Sequence, residues 1–409
     1  MLKQTKDAFR SIGEIKELPP LFVIHFIVGL AIAFRHPFMS LFGLDEAKLS
    51  NITFGILMCV ITLFEIILAT YIAKLSDSRW KRKPVLILCS LAAVIAYVSF
   101  AFLRDFYALL IIGAVFFGIS SSVVPQLWAY VRELLNEAKT SAEKTPLIMN
   151  TFRMFFTLSW VLGPAVAAWI LLKTNFKGLF LFGAAMYLLS AIVIFFIKKE
   201  PEKLKAAAKT PVKLGKFIFI PNIFANLVAF LLINAAGFIS MLNLPQLVTK
   251  ILHGNEGNVG IIFSIPPIIE VPLMIVFGIL ATKWGNGLLI KMSFLVASVY
   301  FFLLVTATEV WHIYPIQILN AMYIAVIAGN AMTYFQDFLP DQPGTATTLY
   351  LNTSKAGYLV GFLTFGFVSE FFGFELVQYV CAAITFISFI IMVVFGRTKQ
   401  TAQVSTHSV

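Results

Sequence analysis

The sequence has 409 residues, of which 59% are hydrophobic and only 12% are charged, and its formal net charge is +11. Charged residues normally supply about a quarter of a soluble domain, so this composition excludes a water-soluble globule and indicates a polytopic membrane protein. The positive charge does not indicate nucleic acid, because the cations lie in short loops between apolar runs.

Twelve apolar runs are long enough to cross a bilayer, which requires roughly 20 helical residues each. An open strand would leave unpaired backbone groups in lipid, so the runs must be helices and the predicted fold class is an all-α membrane protein. The predicted spans are 20–43, 51–73, 84–103, 106–131, 147–172, 178–197, 217–248, 257–282, 287–307, 311–336, 344–369 and 373–396.

The distribution of Lys and Arg predicts the orientation. The N-terminal arm, the C-terminal arm and the loops on their side hold 23 of these residues, the opposite loops hold 5, and 3 lie within spans. By the positive-inside rule both termini are cytoplasmic, in a multi-pass protein of a cell membrane. The predicted organisation is a six-helix half (1–197), a linker rich in lysine (198–216), a second six-helix half (217–400) and a tail (401–409).

The segment "YIAKLSDSRWKRK", residues 71–83, lies in the loop after the second span. Its Asp77, Lys81 and Arg82 match part of the G-x-x-x-D-x-x-G-R-K loop of the major facilitator superfamily, although both glycines are replaced. The resemblance implies that Asp77 is a conformational latch which caps the eleventh helix, and an anion at a helix N-terminus is favourable. For the two cations, simple retention of the loop in the cytoplasm is the competing interpretation.

Further motifs extend this resemblance over nearly the whole chain. "SWVLGPAVA" (159–167) is similar to the antiporter motif of the superfamily, and its small residues four apart also suit ordinary helix packing. The chain resembles the bacterial sugar efflux transporters most closely in "AKLSDS" (73–78), "VPQLWAYVRE" (124–133), "IIEVP" (268–272), "IQILNA" (316–321) and "FQDFLPDQPGTATTLYLNTSKAG" (335–357).

Ionisable side chains inside the spans are costly and are therefore functional candidates. Glu270, in the middle of the eighth span, is the first candidate for the proton site, and Glu65, at the related place in the second span, is the next. Arg153 is a possible partner of Glu270 across the two halves. Arg35 could bind a substrate hydroxyl, pair with a glutamate or extend to the interface. Lys355 faces a cavity or an anion, with Glu270 as one possible partner.

Amides and aromatic rings inside the spans are candidates for sugar recognition, because amides bond hydroxyl groups and rings stack on the pyranose face. Buried amides also join helix to helix, so each has both interpretations. In the superfamily, spans four, seven, ten and eleven line the cavity or its edge. The predicted substrate contacts, with Arg35 and Lys355, are Gln126, Trp128, Asn234, Asn320 and Asn352.

The sequence therefore predicts a proton-coupled exporter of small sugars or glycosides, working by alternating access as a monomer, with multidrug efflux as the alternative. A membrane enzyme is disfavoured because H-E-x-x-H, P-loop and G-x-S-x-G motifs are absent. A channel would need a continuous pore. No cofactor or metal is predicted, since the three cysteines are scattered through apolar runs.

Overall fold

The computed structural model describes residues 15–141, 144–200, 220–339 and 342–396. Within these ranges it is helical apart from short connections, and eleven stretches are long and apolar enough to cross a membrane. The first ten, named α1 to α10, are Leu18–Glu46, Asn51–Ser78, Arg82–Phe102, Phe106–Glu137, Lys144–Lys173, Phe176–Phe196, Pro221–Ile251, Glu256–Trp284, Asn286–Val305 and Val310–Phe338.

The eleventh stretch, Pro343–Phe395, contains two of the predicted spans. Its helix is interrupted at Gly373, whose φ of 78° and ψ of 169° are not helical. Glycine tolerates this positive φ because it has no Cβ. The interruption separates α11 (343–372) from α12 (374–395), which gives the twelve helices that the hydropathy pattern predicts.

Short polar connections begin the helices in the usual way. The side chains of Ser50, Asp105 and Asn175 accept hydrogen bonds from the backbone N–H of residues 53, 108 and 178, respectively. Asn255 and Asn258 form a reciprocal capping box at the start of α8. Such caps satisfy backbone donors that the first helical turn leaves unpaired. Hydrogen bonds between residues that are close in sequence therefore determine where these helices begin.

The backbone divides into two compact units, Met1–Lys209 and Thr210–Val409, here called the N-terminal and C-terminal halves. The predicted linker 198–216 falls mostly, and the predicted tail 401–409 entirely, outside the described residues. The predicted boundaries of these two segments therefore stay predictions.

In the N-terminal half, α1 packs against α5 and α6, and α3 packs against α6. The contact between α1 and α5 is close because small residues face each other. A Cβ added to Gly163 would lie 2.5 Å from the Cβ of Ala33, and one added to Gly29 would overlap the side chain of Ser159. The small residues of "SWVLGPAVA" therefore permit close helix approach, which was the packing interpretation of that motif.

In the C-terminal half, α7 runs antiparallel to α12. Asn226 Nδ2 donates to the carbonyl of Phe395 (3.1 Å), and Asn243 Nδ2 donates to that of Phe374 (2.9 Å). Between them, Ser388 Oγ donates to the carbonyl of Ala229 (2.7 Å). Buried amides and hydroxyls here join helix to helix, as polar groups commonly do in membrane proteins.

The two halves share local features in the same order. α1 and α7 each end in one π-helical turn, Phe42–Glu46 and Leu247–Ile251. Each turn is followed by a residue with left-handed backbone, Lys48 (φ 55°) or His253 (φ 53°). A non-glycine residue rarely adopts this conformation, so its recurrence two residues before the cap of the next helix supports a repeat relationship between the two halves.

Candidate functional site

A pocket of about 170 Å³ lies among helices of the N-terminal half and is here called the Arg35 pocket. It is lined by polar side chains from five helices. These are Arg35 and His36 of α1, Glu65 of α2, Tyr97 of α3, Ser120 and Ser121 of α4, and Tyr187 of α6. The pocket thus unites two residues that the sequence singled out, Arg35 and Glu65, with five that it did not.

Arg35 and Glu65 form a loose ion pair in this pocket. Arg35 Nη2 lies 3.4 Å from Glu65 Oε1, and the two side chains are 9% and 24% exposed. The guanidinium carbon lies 4.0 Å from the ring centroid of Phe117, a cation–π geometry. Arg35 Nε is buried and has no acceptor among the described residues. Arg35 therefore keeps a donor for another oxygen while paired with Glu65.

Irregular helix geometry shapes the pocket. The helical hydrogen bonding of α1 changes at the 3-10 turn His36–Phe38, which contains Pro37. In α4 the π-helical turn Gly113–Phe117 precedes a tight contact of Gly118, where an added Cβ would lie 2.7 Å from Leu68 Cδ1. Such π turns are frequent at functional sites because they re-aim side chains. Here the turn ends at Phe117, under the guanidinium.

A second cluster lies where α2, α3 and α4 meet, and is here called the Arg82 network. Arg82 donates from Nε and Nη2 to both oxygens of Glu133, at 2.7 Å each. Its Nη1 donates to Gln126 Oε1 (2.9 Å) and Ser76 Oγ (3.1 Å). Its Nη2 also donates to Asp77 Oδ1 (2.8 Å). The guanidinium is thus fully engaged, in the forked geometry that arginine provides.

Burial differs sharply among the acids of the Arg82 network. The Glu133 side chain is 2% exposed, whereas that of Asp77 is 58% exposed. A buried carboxylate depends on its partner far more than an exposed one does. Glu133 is therefore the main counter-charge of Arg82, and the latch role of Asp77 stays a prediction.

The segment after α6 is attached to the same region. The carboxylate of Glu200 accepts from the backbone N–H of Arg82 (2.7 Å), at the start of α3. Lys83 Nζ donates to the carbonyl of Ile197 (2.7 Å), and Tyr130 OH donates to that of Lys199. An acid at a helix N-terminus is favourable, so Glu200 helps hold the start of the predicted linker against α3.

Sequence reasoning missed Glu133 and Glu200. Glu133 is the last residue of the quoted motif "VPQLWAYVRE", and an acid just beyond the predicted fourth span was available as a signal. Gln126, a predicted substrate contact, is 2% exposed and bound to Arg82 and Ser76. Lys81, predicted to act with Arg82, is exposed. The structure thus separates two cations that are adjacent in sequence.

Trp128 belongs to a group of aromatic side chains between α1, α4 and α5. Its ring lies 5.6 Å from that of Phe152 and 5.9 Å from that of His25, both edge-on. The His25 ring is fully buried and stacks on Phe152 at 4.0 Å. Trp128 is half-buried, a position that suits both helix packing and stacking on a sugar ring.

In the C-terminal half, Glu270 is half-buried in α8, two residues before Pro272. Glu65 lies 14 residues after Asn51, the start of α2, and Glu270 lies 14 residues after Glu256, the start of α8. The two glutamates therefore occupy matching positions in the repeated halves.

Asn320 belongs to a short polar chain on α9 and α10. Its Nδ2 donates to Gln317 Oε1 (2.8 Å), and Gln317 Nε2 lies 3.5 Å from Tyr300 OH. Gln317 is 1% exposed, whereas Asn320 is half-buried. Within the described ranges, the Asn320 side-chain oxygen accepts no hydrogen bond, as a substrate contact requires.

The other predicted residues lie apart from these clusters. Asn234 donates to the carbonyl of Phe230 in its own helix (2.6 Å). Asn352 is exposed on α11, and Lys355 is half-buried on the same helix. Arg153 is exposed on α5. Over the described ranges, no three His, Cys, Asp or Glu side chains are grouped as metal ligands.

Comparison with known proteins gives consistent results. The family model described as Major Facilitator Superfamily matches residues 21–355 and 244–408. A protein of Deinococcus radiodurans is 30% identical over 362 residues, which cover 88% of this chain and 92% of the relative. "Sugar efflux transporter A" of Dickeya chrysanthemi is 28% identical over 358 residues, covering 86% and 89% of the two chains.

Two further comparisons are more distant. "Multidrug resistance protein MdtG" of Proteus mirabilis is 22% identical over 396 residues, covering 92% of this chain and 94% of the relative. The crystal structure of the nucleoside transporter NupG superposes with a TM-score of 0.79 at 12% identity, covering 92% of this chain and 98% of the other. At that identity the superposition concerns the fold alone.

Proposed function

This chain belongs to the major facilitator superfamily of transporters, and from that premise we propose that it exports small sugars or glycosides in exchange for protons. The observation that carries the proposal is the Arg35–Glu65 pair in a polar pocket within membrane-spanning helices. The named sugar efflux relative, similar over most of its length, supports the substrate class. Transport proceeds by alternating access of the two halves.

The Arg35 pocket is suited to a polyol. Its volume of about 170 Å³ corresponds to about six waters at ~30 Å³ each, on the scale of one monosaccharide ring. Arg35 Nε is a free buried donor among the described groups, and an unsatisfied buried donor is costly until an acceptor arrives. Sugar hydroxyls supply acceptors for Arg35 and donors for Glu65.

We propose Glu65 rather than Glu270 as the proton site, because Glu65 is paired with Arg35 in the polar pocket. Protonation of Glu65 cancels its charge and loosens the pair with Arg35, and the pair restores itself when the proton leaves. A group that alternates between these two states couples proton binding to the geometry of α1 and α2. Glu270, at the matching position of α8, is the second candidate, with Lys355 as its proposed partner, and Arg153 is proposed to take part in proton coupling.

The remaining substrate contacts are proposed from the sequence and the placement of each residue. Asn320 lies beside Gln317 with an amide oxygen that no described residue bonds, and Trp128 offers a half-buried ring. The others proposed are Gln126, Asn234, Asn352 and Lys355. The protein acts as a monomer in the bacterial inner membrane, with both termini cytoplasmic.

Transport assays in liposomes test the proposed function directly. The full chain should move labelled lactose or glucose outward against its gradient when protons are available for exchange, and collapse of the proton gradient should stop uphill movement. Empty liposomes are the control. An equal rate of sugar efflux with and without a proton gradient would contradict proton coupling. Absence of transport for every sugar would contradict the substrate class.

Multidrug efflux is the second candidate, because the similarity to MdtG extends over 92% of the chain. A cationic dye in the same liposomes separates the two functions. Dye transport without sugar transport would establish the drug exporter. The polar lining of the Arg35 pocket leads us to expect the opposite result, since a lipophilic cation gains little from hydroxyl and guanidinium donors.

Asp77→Asn should slow sugar efflux several-fold while leaving stability nearly unchanged. The Asp77 side chain is 58% exposed, so losing its ion pair should cost no more than about 1 kcal/mol. The proposed latch would nevertheless lose its negative charge. Efflux rates and thermal unfolding in detergent, with Ser78→Ala as the neighbouring control, measure both effects. A normal efflux rate in Asp77→Asn would mean that Asp77 has no latch role and that its loop only sets the topology.

A further inference from the structure

His36 provides Arg35 with a second acceptor inside the Arg35 pocket. Its Nε2 lies 3.2 Å from Arg35 Nη2, the same nitrogen that lies 3.4 Å from Glu65 Oε1. A guanidinium has donors only, so Nε2 must be unprotonated and the imidazole neutral, with its proton on Nδ1. The side chain is half-buried at the 3-10 turn, 6.1 Å from the ring of Trp160 on α5.

We propose that His36 is a positioning residue that keeps Arg35 directed into the pocket while Glu65 carries a proton. This inference rests on the proposed role of Glu65. When Glu65 is neutral, Arg35 loses its counter-charge, and a buried guanidinium without a counter-charge is costly. The neutral imidazole then accepts the shared N–H, and the face of Phe117, 4.0 Å from the guanidinium carbon, also supports the cation.

The arrangement explains how one arginine can serve two steps of a transport cycle. With Glu65 charged, Arg35 is shared between carboxylate and imidazole. With Glu65 protonated, Arg35 shifts to His36 and remains near its position, so that Nε still points to a sugar oxygen. Without His36, Arg35 would be free to leave the pocket at the step when the sugar has to be held.

The imidazole has to stay neutral for this role. A proton on Nε2 would remove the acceptor and place two cations 3.2 Å apart. The charged and titratable groups lining the pocket are Arg35 on the same segment, Glu65 from α2, Tyr97 from α3 and Tyr187 from α6, whereas α4 contributes Phe117, Ser120 and Ser121 and the α5 neighbour is Trp160.

The test uses sugar counterflow by the full chain in liposomes, with His36→Leu and His36→Gln compared in wild-type and Glu65→Gln backgrounds. Leucine removes the acceptor, whereas glutamine supplies an amide oxygen. In the Glu65→Gln background, His36→Leu should raise the half-saturating sugar concentration about tenfold, as expected when a bond to a charged group is lost. The maximal rate should change little. His36→Gln should stay within about twofold of its parent, because its amide oxygen supplies the acceptor for Arg35.

Two outcomes would overturn the inference. One is a His36→Leu effect on the half-saturating sugar concentration that is equally large in both backgrounds, which would indicate a purely structural role. The other is a His36→Gln variant that unfolds at the parent temperature yet binds sugar as poorly as His36→Leu. Failure of the wild-type chain to exchange any sugar would instead contradict the proposed function, so the two failures are distinguishable.

Discussion

Glu65→Gln should abolish proton-driven sugar efflux while leaving sugar counterflow active. Glutamine has nearly the same shape and keeps an oxygen for Arg35 Nη2, which lies 3.4 Å from Glu65 Oε1, but it cannot release a proton. Counterflow exchanges sugar for sugar and needs no proton release. We expect uphill efflux to fall by at least about 100-fold, the scale on which removal of a positioned proton-transfer group acts. Both rates can be measured in the same proteoliposomes.

Glu270→Gln is the matched control, because Glu270 occupies the same place in α8 as Glu65 does in α2. We expect it to retain most proton-driven efflux. The reverse result, loss in Glu270→Gln and retention in Glu65→Gln, would place the proton site in the C-terminal half, as the sequence alone favours. Retention in both variants would contradict proton coupling through either carboxylate.

Arg82→Met should lower the free energy of unfolding by about 3–5 kcal/mol, the usual cost of leaving one member of a buried ion pair without its partner. Glu133 is only 2% exposed and would lose both of its 2.7 Å hydrogen bonds to Arg82. Gln126 and Ser76 would lose a shared donor as well. Chemical unfolding in detergent, followed by tryptophan fluorescence, measures the change.

Two variants make the stability prediction specific. Lys81→Met removes the neighbouring exposed cation and should change stability by no more than about 0.5 kcal/mol. Arg82→Met combined with Glu133→Leu removes both charges and should recover most of the loss, because no unpaired buried charge remains. If the double variant were as unstable as Arg82→Met, loss of arginine packing rather than the stranded carboxylate would be the cause.

Some site residues are recognisable in the sequence for a local reason. Arg35 and Glu65 are charged residues inside apolar runs, and such residues stand out because a charge in lipid is costly. Asp77 and Arg82 stand out in the same way through their match to a loop motif. Gln126 shows the limit of this reasoning. A buried amide can bond a substrate or a neighbouring helix equally well, and the structure places it against Arg82, 44 residues away.

The sequence by itself determined the fold class, the twelve spans and the family, because a lipid environment requires each span to satisfy its own backbone hydrogen bonds. That requirement makes the helices readable from hydropathy alone. Only the tertiary structure decided which charges meet. Arg35 faces Glu65, 30 residues away, and Arg82 faces Glu133, 51 residues away. Those pairings depend on which helix faces approach each other, as where Gly163 lies against Ala33, and hydropathy contains no information about that choice.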